Sequence, residues 1–397
     1  MRLATFFFKL GSIAPIGGAR VLRGGGEGGR RAGRLLWWAV RALGTVVFWC
    51  WGLAVLALIG AALGDRWKVL GADSFLLGFH YLPPSLLLFL ALPAVAAGLL
   101  SFTPRWAVGF LAVAAGNFVL LGDYAPSALW APAPPAVAAG RSLSVTAINV
   151  RFHQRGLRKT LAGALRIGAD VVLLTENVLR PGQLREAERL VAPYRLLSGR
   201  RGESAILTRL PVLSAREVDL PSRQVALNGP DDDTDRRDKP FRSMMHAVVD
   251  VGGVATHVIA VRLIAGGGPA EPTVAKVMRW TRHLYGVQQR EVDFLLDYLK
   301  GLSGPIVFGG DLNAPPNSIT IRRIRAVARD ARLQRQLLGG FTFPSGGPYM
   351  RLDYLFTMNG AQPVGDTVYR RDWDASDHLP VTAQFVVAPP AGGAAAR

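Results

Sequence analysis

The sequence predicts an α/β (α+β) domain of about 250 residues behind an apolar N-terminal region. Three observations predict it. From residue 141 onward, apolar runs with strand spacing alternate with segments of helical spacing. Several of those strands follow one another with no helix between them, which argues against a purely parallel sheet. Ahead of them, three long apolar stretches occupy the first third of the chain.

The domain elements run in this order. "SLSVTAINV" (142–150) is strand-like, "GLRKTLAGALRIG" (156–168) has helical spacing, and "ADVVLLTE" (169–176) is a buried strand. "GESAILTRLPVLSAREV" (202–218) reads as two strands broken at Pro211. "SMMHAVVDVGGVATHVIAVRLI" (243–264) reads as a hairpin turning at Gly252-Gly253. A long helix is expected over 272–300, a strand at "PIVFGG", mostly helix over 317–337, and closing strands at "RLDYLFT" (351–357) and "LPVTAQFVV" (379–387). The domain spans 141–388, and residues 389–397 form a loose tail.

In front, residues 1–34 read as a flexible basic cytoplasmic tail rich in Gly and Arg. Residues 35–124 read as a transmembrane region of about three helices, 42–64, 82–102 and 106–122, against the roughly 20 apolar residues a spanning helix needs. A signal peptide fits poorly, because the first stretch is too long and two more follow. Trp37, Trp38, Tyr81 and Trp106 stand near the edges, as interfacial aromatics do. Arginines crowd the approach to the first stretch and the next loop is balanced, so the positive-inside rule puts the N-terminus in the cytoplasm. Three crossings then deliver a C-terminal domain on the periplasmic or extracellular side of a plasma (inner) membrane; two crossings would invert this. Residues 125–140 are a Pro/Ala linker.

The formal charge is +18, of which residues 1–140 carry +7 and the remainder +11. A basic surface suits nucleic acid, phospholipid headgroups or phosphate esters, although scattered arginines also arise without a specific partner. The single Cys50 allows no intrachain disulfide and lies within the first apolar stretch. Nothing in the sequence marks an obligate protein partner.

Polar residues recur where strands should end. Asn149 and Glu176 end the first and third elements, and Asp311 and Asn313 follow "PIVFGG". Asp353 opens "LDYLF", and Asp377 and His378 precede the last strand. An unpaired carboxylate is costly to bury, so such acids belong at one rim, where they could hold a hard cation and a phosphate. A histidine held by a carboxylate supplies a positive donor to a phosphoryl oxygen. Gly309 and Gly310 let the backbone turn and a ligand approach. Taken alone, Asp311-x-Asn313 would be an Asx-turn and Asp377-His378 a surface pair. The acidic stretch 228–240 reads as a solvated loop, with mixed charges and no calcium-loop spacing.

Together "AINVRF", "VVLLTEN", "GESAILTRLPV", "GGDLNAPPNS", "RLDYLF" and "SDHLPV", in this order over 144–386, resemble the endonuclease/exonuclease/phosphatase (DNase I-like) superfamily, in particular its bacterial membrane-anchored members. The resemblance implies a four-layered sandwich of two mixed β-sheets flanked by helices. It also implies hydrolysis of a phosphoester, nucleic acid or phospholipid headgroup, with Mg²⁺ or Mn²⁺. Position by position, it implies Glu176 as the metal ligand with Asn149 beside it and Asp377 near the metal. Asp311 would be the water-activating acid, with Asn313 its phosphate-contacting partner. His378 would be the phosphate-stabilising histidine held by Asp353, and Asn149 and Arg351 would contact phosphate. Thr175 stands where members often carry Gln. Arg262 stands where many carry His; an arginine cannot serve as a general acid near neutral pH but can clamp a phosphate. His257, an odd number of positions earlier on the strand, faces the other way. The alternative that Arg262 raises is a membrane-tethered phosphate-binding module with weakened or lost catalysis.

Overall fold

The computed structural model describes residues 27–66, 92, 95–96, 108–112, 115, 140–199, 203–224, 242–265, 274–316, 318–332, 340–348, 350–370 and 372–389. In the N-terminal unit a single helix, α1 (Glu27–Arg66), contains the whole first apolar stretch. Its start at Glu27 makes the last residues of the expected tail helical. Gly33–Leu53 is, among the described residues, the one helix long and apolar enough to cross a membrane, where three crossings were expected. Leu35, Leu36, Trp37, Trp38 and Cys50 are exposed on it, while Phe48 is buried and meets Phe110 edge-on at 6.2 Å. The second and third apolar stretches, apart from 92, 95–96, 108–112 and 115, lie outside the described residues, as do the linker up to 139 and the loop 228–240.

Among the described residues, the second unit holds twelve strands in two six-stranded sheets. The first sheet contains β1 (Arg141–Asn149), β2 (Val171–Thr175), β3 (Arg195–Ser198), β4 (Ser204–Thr208), β11 (Ala361–Tyr369) and β12 (Val381–Val387), ordered β11-β12-β1-β2-β4-β3. The second contains β5 (Val212–Asp219), β6 (Ser243–Asp250), β7 (Ala255–Ala260), β8 (Ile306–Asp311), β9 (Arg329–Asp330) and β10 (Asp353–Met358), ordered β5-β6-β7-β8-β10-β9. Among the described strands only β1–β2 and β7–β8 pair in parallel. Both sheets are therefore mixed, as the consecutive strands predicted. The break at Pro211 has a larger consequence than a turn: β4 pairs with β2 and β3, whereas β5 pairs with β6 in the other sheet.

Side-chain parity builds the layers. Leu143, Val145 and Ala147 of β1 meet Val258, Ala260, Val307 and Leu355 of the second sheet in a shared inner core. The alternate residues of the first sheet, among them Ile148, Val172 and Leu174, pack on helices α2 (Leu157–Arg166) and α3 (Pro181–Leu190) through Leu161, Ala164 and Ala187. Those of the second sheet, including Ile259, Phe308 and Phe356, pack on α4 (Val274–Lys300) and α5 (Ile319–Arg325) through Leu295, Leu299, Ile321 and Ile324. The order is helix, sheet, sheet, helix. Each fully buried aliphatic or aromatic side chain contributes about 1.5–3 kcal/mol relative to exposure.

Three sequence expectations change. Helix does not fill 317–337: α5 ends at Arg325 and β9 follows, because Asp330 is held by Arg325 and Arg351 beside β10. Strand β11 was not expected, since Pro363 and Gly365 interrupt it; it is an edge strand, where proline is tolerated, and its register shifts between Val364 and Val368. The glycine pair in β8 serves packing: a Cβ at Gly309 would run into the Tyr354 carbonyl, and one at Gly310 (φ 138°) into that of Val261.

Candidate functional site

The parity that builds the inner core also gathers the polar residues. Asn149, Asp311 and Asp353 share parity with Ala147, Val307 and Leu355, so each takes an inner-face position where its strand ends and apolar packing stops. Arg262 keeps the parity of Val258 and Ala260 just beyond β7. Asp353 and Asp311 are direct partners across the antiparallel β8–β10 ladder. Glu176 follows Thr175 on the opposite parity, but its φ of 55° breaks the extended run and its carboxylate meets Arg262. Arg151, Phe152, His153 and Asn313 also hold positive φ. Non-glycine residues in this region carry strain, and here they crowd one rim.

Asp311 is 1 % exposed and collects donors: Asn149 Nδ2 at 2.9 Å, the Asn313 backbone N–H at 3.0 Å and Asn313 Nδ2 at 3.1 Å. Burial, joined by the Asp353 and Glu176 carboxylates, pushes its carboxyl up to about 6, against the pull of His378 and Arg262. Asn149 spends both ends of its amide, since its oxygen accepts from the Arg151 N–H at 2.8 Å. His378 Nδ1 lies 2.8 Å from Asp353 Oδ2, and Phe343 packs on the imidazole at 4.8 Å. Burial by itself would lower the pKa of His378. The carboxylates of Asp353 and Asp311 outweigh it and hold the ring up to about 10, cationic at neutral pH.

Arg262 enters this group. Its Nη2 lies 2.7 Å from Glu176 Oε1, its Nη1 donates to Glu203 Oε2 at 2.9 Å, and its Nε is 3.8 Å from Asp311 Oδ2. Burial opposes the guanidinium charge, but Glu203, Glu176 and Asp311 raise its pKa above the ordinary arginine value. Glu203 is in turn paired with Arg242, and Arg242 with Glu291. The sequence reading missed Glu203, Arg242 and Glu291. A usable signal was present for Glu203, an acid opening the buried strand of "GESAILT".

The other expected residues divide. Asp377 Oδ2 lies 3.3 Å from Arg151 Nε at the rim. His257 is directed away, its ring hydrogen-bonded to His246 and the Ser303 carbonyl, as strand parity predicted. Arg351 is a correction. It is 1 % exposed, gives two hydrogen bonds to Asp330 at 2.8 and 2.7 Å and stacks over Tyr354, so it ties β9 to β10 and is not presented to a phosphate.

A family model described as the Endonuclease/Exonuclease/phosphatase family matches residues 147–378. No curated protein matches the chain by sequence. Similar solved structures include an endonuclease/exonuclease/phosphatase from Bacteroides vulgatus, at 13 % identity and TM-score 0.45, covering 62 % of this chain and 99 % of that one. Another, from Beutenbergia cavernae, has 19 % identity and TM-score 0.42 over 62 % and 72 % of the two chains. D. rerio TDP2, solved with a single strand DNA product, has 16 % identity and TM-score 0.44 over 62 % and 98 %. With the matched segment running from β1 to His378, through every strand end that supplies the polar rim, the chain belongs to the endonuclease/exonuclease/phosphatase family.

Proposed function

We infer that this chain is a divalent-metal-dependent phosphoester hydrolase held at a membrane by its N-terminal region. One observation carries the reading: buried Asp311, held by Asn149 and Asn313, lies beside an imidazolium at His378 that Asp353 orients. An acid pushed up to about 6 is ionised at neutral pH yet basic enough to take a proton from water. The neighbouring cation places positive charge where a phosphoryl oxygen gains negative charge.

The residues fit a hard cation. Glu176, Glu203, Glu291, Asp311 and Asp353 face the cations Arg242, Arg262 and His378, five against three, which leaves an excess of two negative charges. Among the described residues, Asp353 Oδ1 is buried without a hydrogen-bond partner, a hard oxygen left open within this acid-rich group. Glu176 and Asp377 would hold the ion, which when bound supplies Lewis-acid polarisation of a phosphoryl oxygen. Asp311 orients the attacking water and accepts its proton. Asn149 and the Asn313 backbone N–H keep the Asp311 carboxylate in place, His378 donates to the phosphoryl oxygens, and Asn313 would join it by giving up the Nδ2 bonds it makes to Asp311 and the Leu263 carbonyl. Arg262 clamps the phosphate and cannot protonate the leaving group.

The substrate is a phosphoester of nucleic acid or of a phospholipid headgroup. Full-length protein in detergent, with Mg²⁺ or Mn²⁺, is assayed on a generic phosphodiester, on DNA and on phospholipid vesicles, beside Asp311→Asn. The variant should lose about a hundredfold or more in rate; an unchanged rate would sink the mechanism. The ion pair between Arg262 and Glu176 favours a second reading, a phosphate-binding module without turnover. Phosphate binding with no hydrolysis on any substrate selects it. The helix Gly33–Leu53 supports membrane attachment. A periplasmic or extracellular catalytic domain, reached by three crossings, is tested by a C-terminal reporter; activity of that reporter in the cytoplasm alone rejects it.

A further inference from the structure

Arg262 does not sit in the rim as a simple substitute for another side chain. It is the fourth charge of a buried alternating series, Glu291, Arg242, Glu203, Arg262, Glu176. The inner end of the series is fixed. Glu291 accepts from Arg242, from Ser222 and, at 2.7 Å, from the Ile264 backbone N–H. Arg242 also donates to the Arg262 carbonyl at 3.2 Å, so it holds the residue by its backbone while Glu203 holds it by Nη1.

The other edge of the guanidinium is only half used. Nη2 is on Glu176, while Nε is buried and, among the described residues, has no hydrogen-bond partner; the Asp311 carboxylate is 3.8 Å from it, beyond hydrogen-bond length. Nε and Nη2 are the side-on pair of donors that grips two oxygens of one phosphate. A phosphate there would satisfy the empty Nε and draw Nη2 off Glu176, and Glu203 would keep Nη1 throughout. The second acid expected beside the metal is also occupied, Asp377 by Arg151 at 3.3 Å.

We propose that Arg262 is an internal cation that competes with the divalent metal for Glu176 and releases that carboxylate when a phosphoester takes its Nε–Nη2 edge, so that metal and phosphate load together. This rests on the reading of Glu176 as a metal ligand. It makes Arg262 and Glu203 determinants of loading order, and the ligand that unlocks the site is an anion with two adjacent phosphate oxygens. A protein built this way holds little free metal without its substrate.

The test is binding, measured by calorimetry on the full-length protein in detergent, with Mn²⁺ and with dimethyl phosphate as an unreactive phosphodiester anion. In the unmodified protein, saturating dimethyl phosphate should tighten Mn²⁺ binding about tenfold or more, and Mn²⁺ should tighten dimethyl phosphate by the same factor, since coupling is reciprocal. In Arg262→Gln, Mn²⁺ alone should bind about tenfold tighter than in the unmodified protein, and the coupling should shrink. Arg262→Lys keeps a charge for Glu203 but offers no fork; it should fall between the two and serves if the glutamine variant does not fold. Mn²⁺ affinity that is unchanged or weaker in the folded variants, or indifferent to dimethyl phosphate in the unmodified protein, overturns the proposal. Neither readout uses turnover. Coupling without hydrolysis would leave this inference standing and reject the hydrolase reading; hydrolysis without coupling would do the reverse.

Discussion

Asn149 Nδ2 donates to Asp311 Oδ2 at 2.9 Å, joining the last inner-face residue of β1 in one sheet to that of β8 in the other. The bond closes the sandwich at the rim where apolar packing ends. It also stabilises the ionised form of a fully buried carboxylate, because a donor to the charged form favours it.

Replacing Asn149 by Ala therefore has two effects. It removes one of the donors to a buried acid and costs about 1–3 kcal/mol of stability in urea unfolding. It also raises the Asp311 carboxyl further above about 6, which moves the acid limb of the hydrolysis profile to higher pH. A variant with the parental midpoint and the parental acid limb would show that the bond carries neither role.

The His378–Asp353 pair makes a prediction with a definite sign. The folded pKa of His378 is raised from 6.5 to about 10. Its bound proton therefore contributes stability that is fully present below 6.5 and is lost as pH rises through about 10. Unfolding free energy should fall across that window, and Asp353→Asn should remove much of the fall while its imidazole titrates at lower pH by NMR. An imidazole titration unmoved in Asp353→Asn would mean that the carboxylate does not hold the charge.

Asp330 tests the reassignment of Arg351. Burial disfavours its charge, yet Arg351 and Arg325 outweigh burial and hold the carboxyl well below 3.8. The contribution is therefore present above 3.8 and lost as pH falls below it. Asp330→Asn leaves Arg351 buried without its carboxylate and should cost about 3–5 kcal/mol near neutral pH, with a shallower acid limb of unfolding. Metal and dimethyl phosphate binding should be largely retained. Collapse of phosphate binding in a folded Asp330→Asn variant would return Arg351 to the substrate.

Much of this was legible in one dimension. Alternation of strand and helix spacing located β1, β2, β4 through β8, β10, β12, α2 and α4, because burial on a sheet face or helix stripe imposes its period on the sequence. The polar interruptions at Asn149, Glu176, Asp311, Asp353 and His378 were visible for the converse reason: each borders an apolar run that has no use for it. Strand β11 was hidden by Pro363 and Gly365, whose local preferences an edge position overrides. Helix α5 was overextended because the charge pairing of Asp330 is not a local property.

The sequence by itself determined the family, the two-period patterning of the domain and the identity of the acids, amides and histidine at the strand ends. Only the tertiary structure decided their pairing. Asp377 meets Arg151, Arg351 turns to Asp330, and Arg262 bridges Glu176 and Glu203. The physical reason is that a charge finds its partner on another strand or loop, distant in the chain. Spacing along one strand records which face a residue takes and says nothing of what stands opposite.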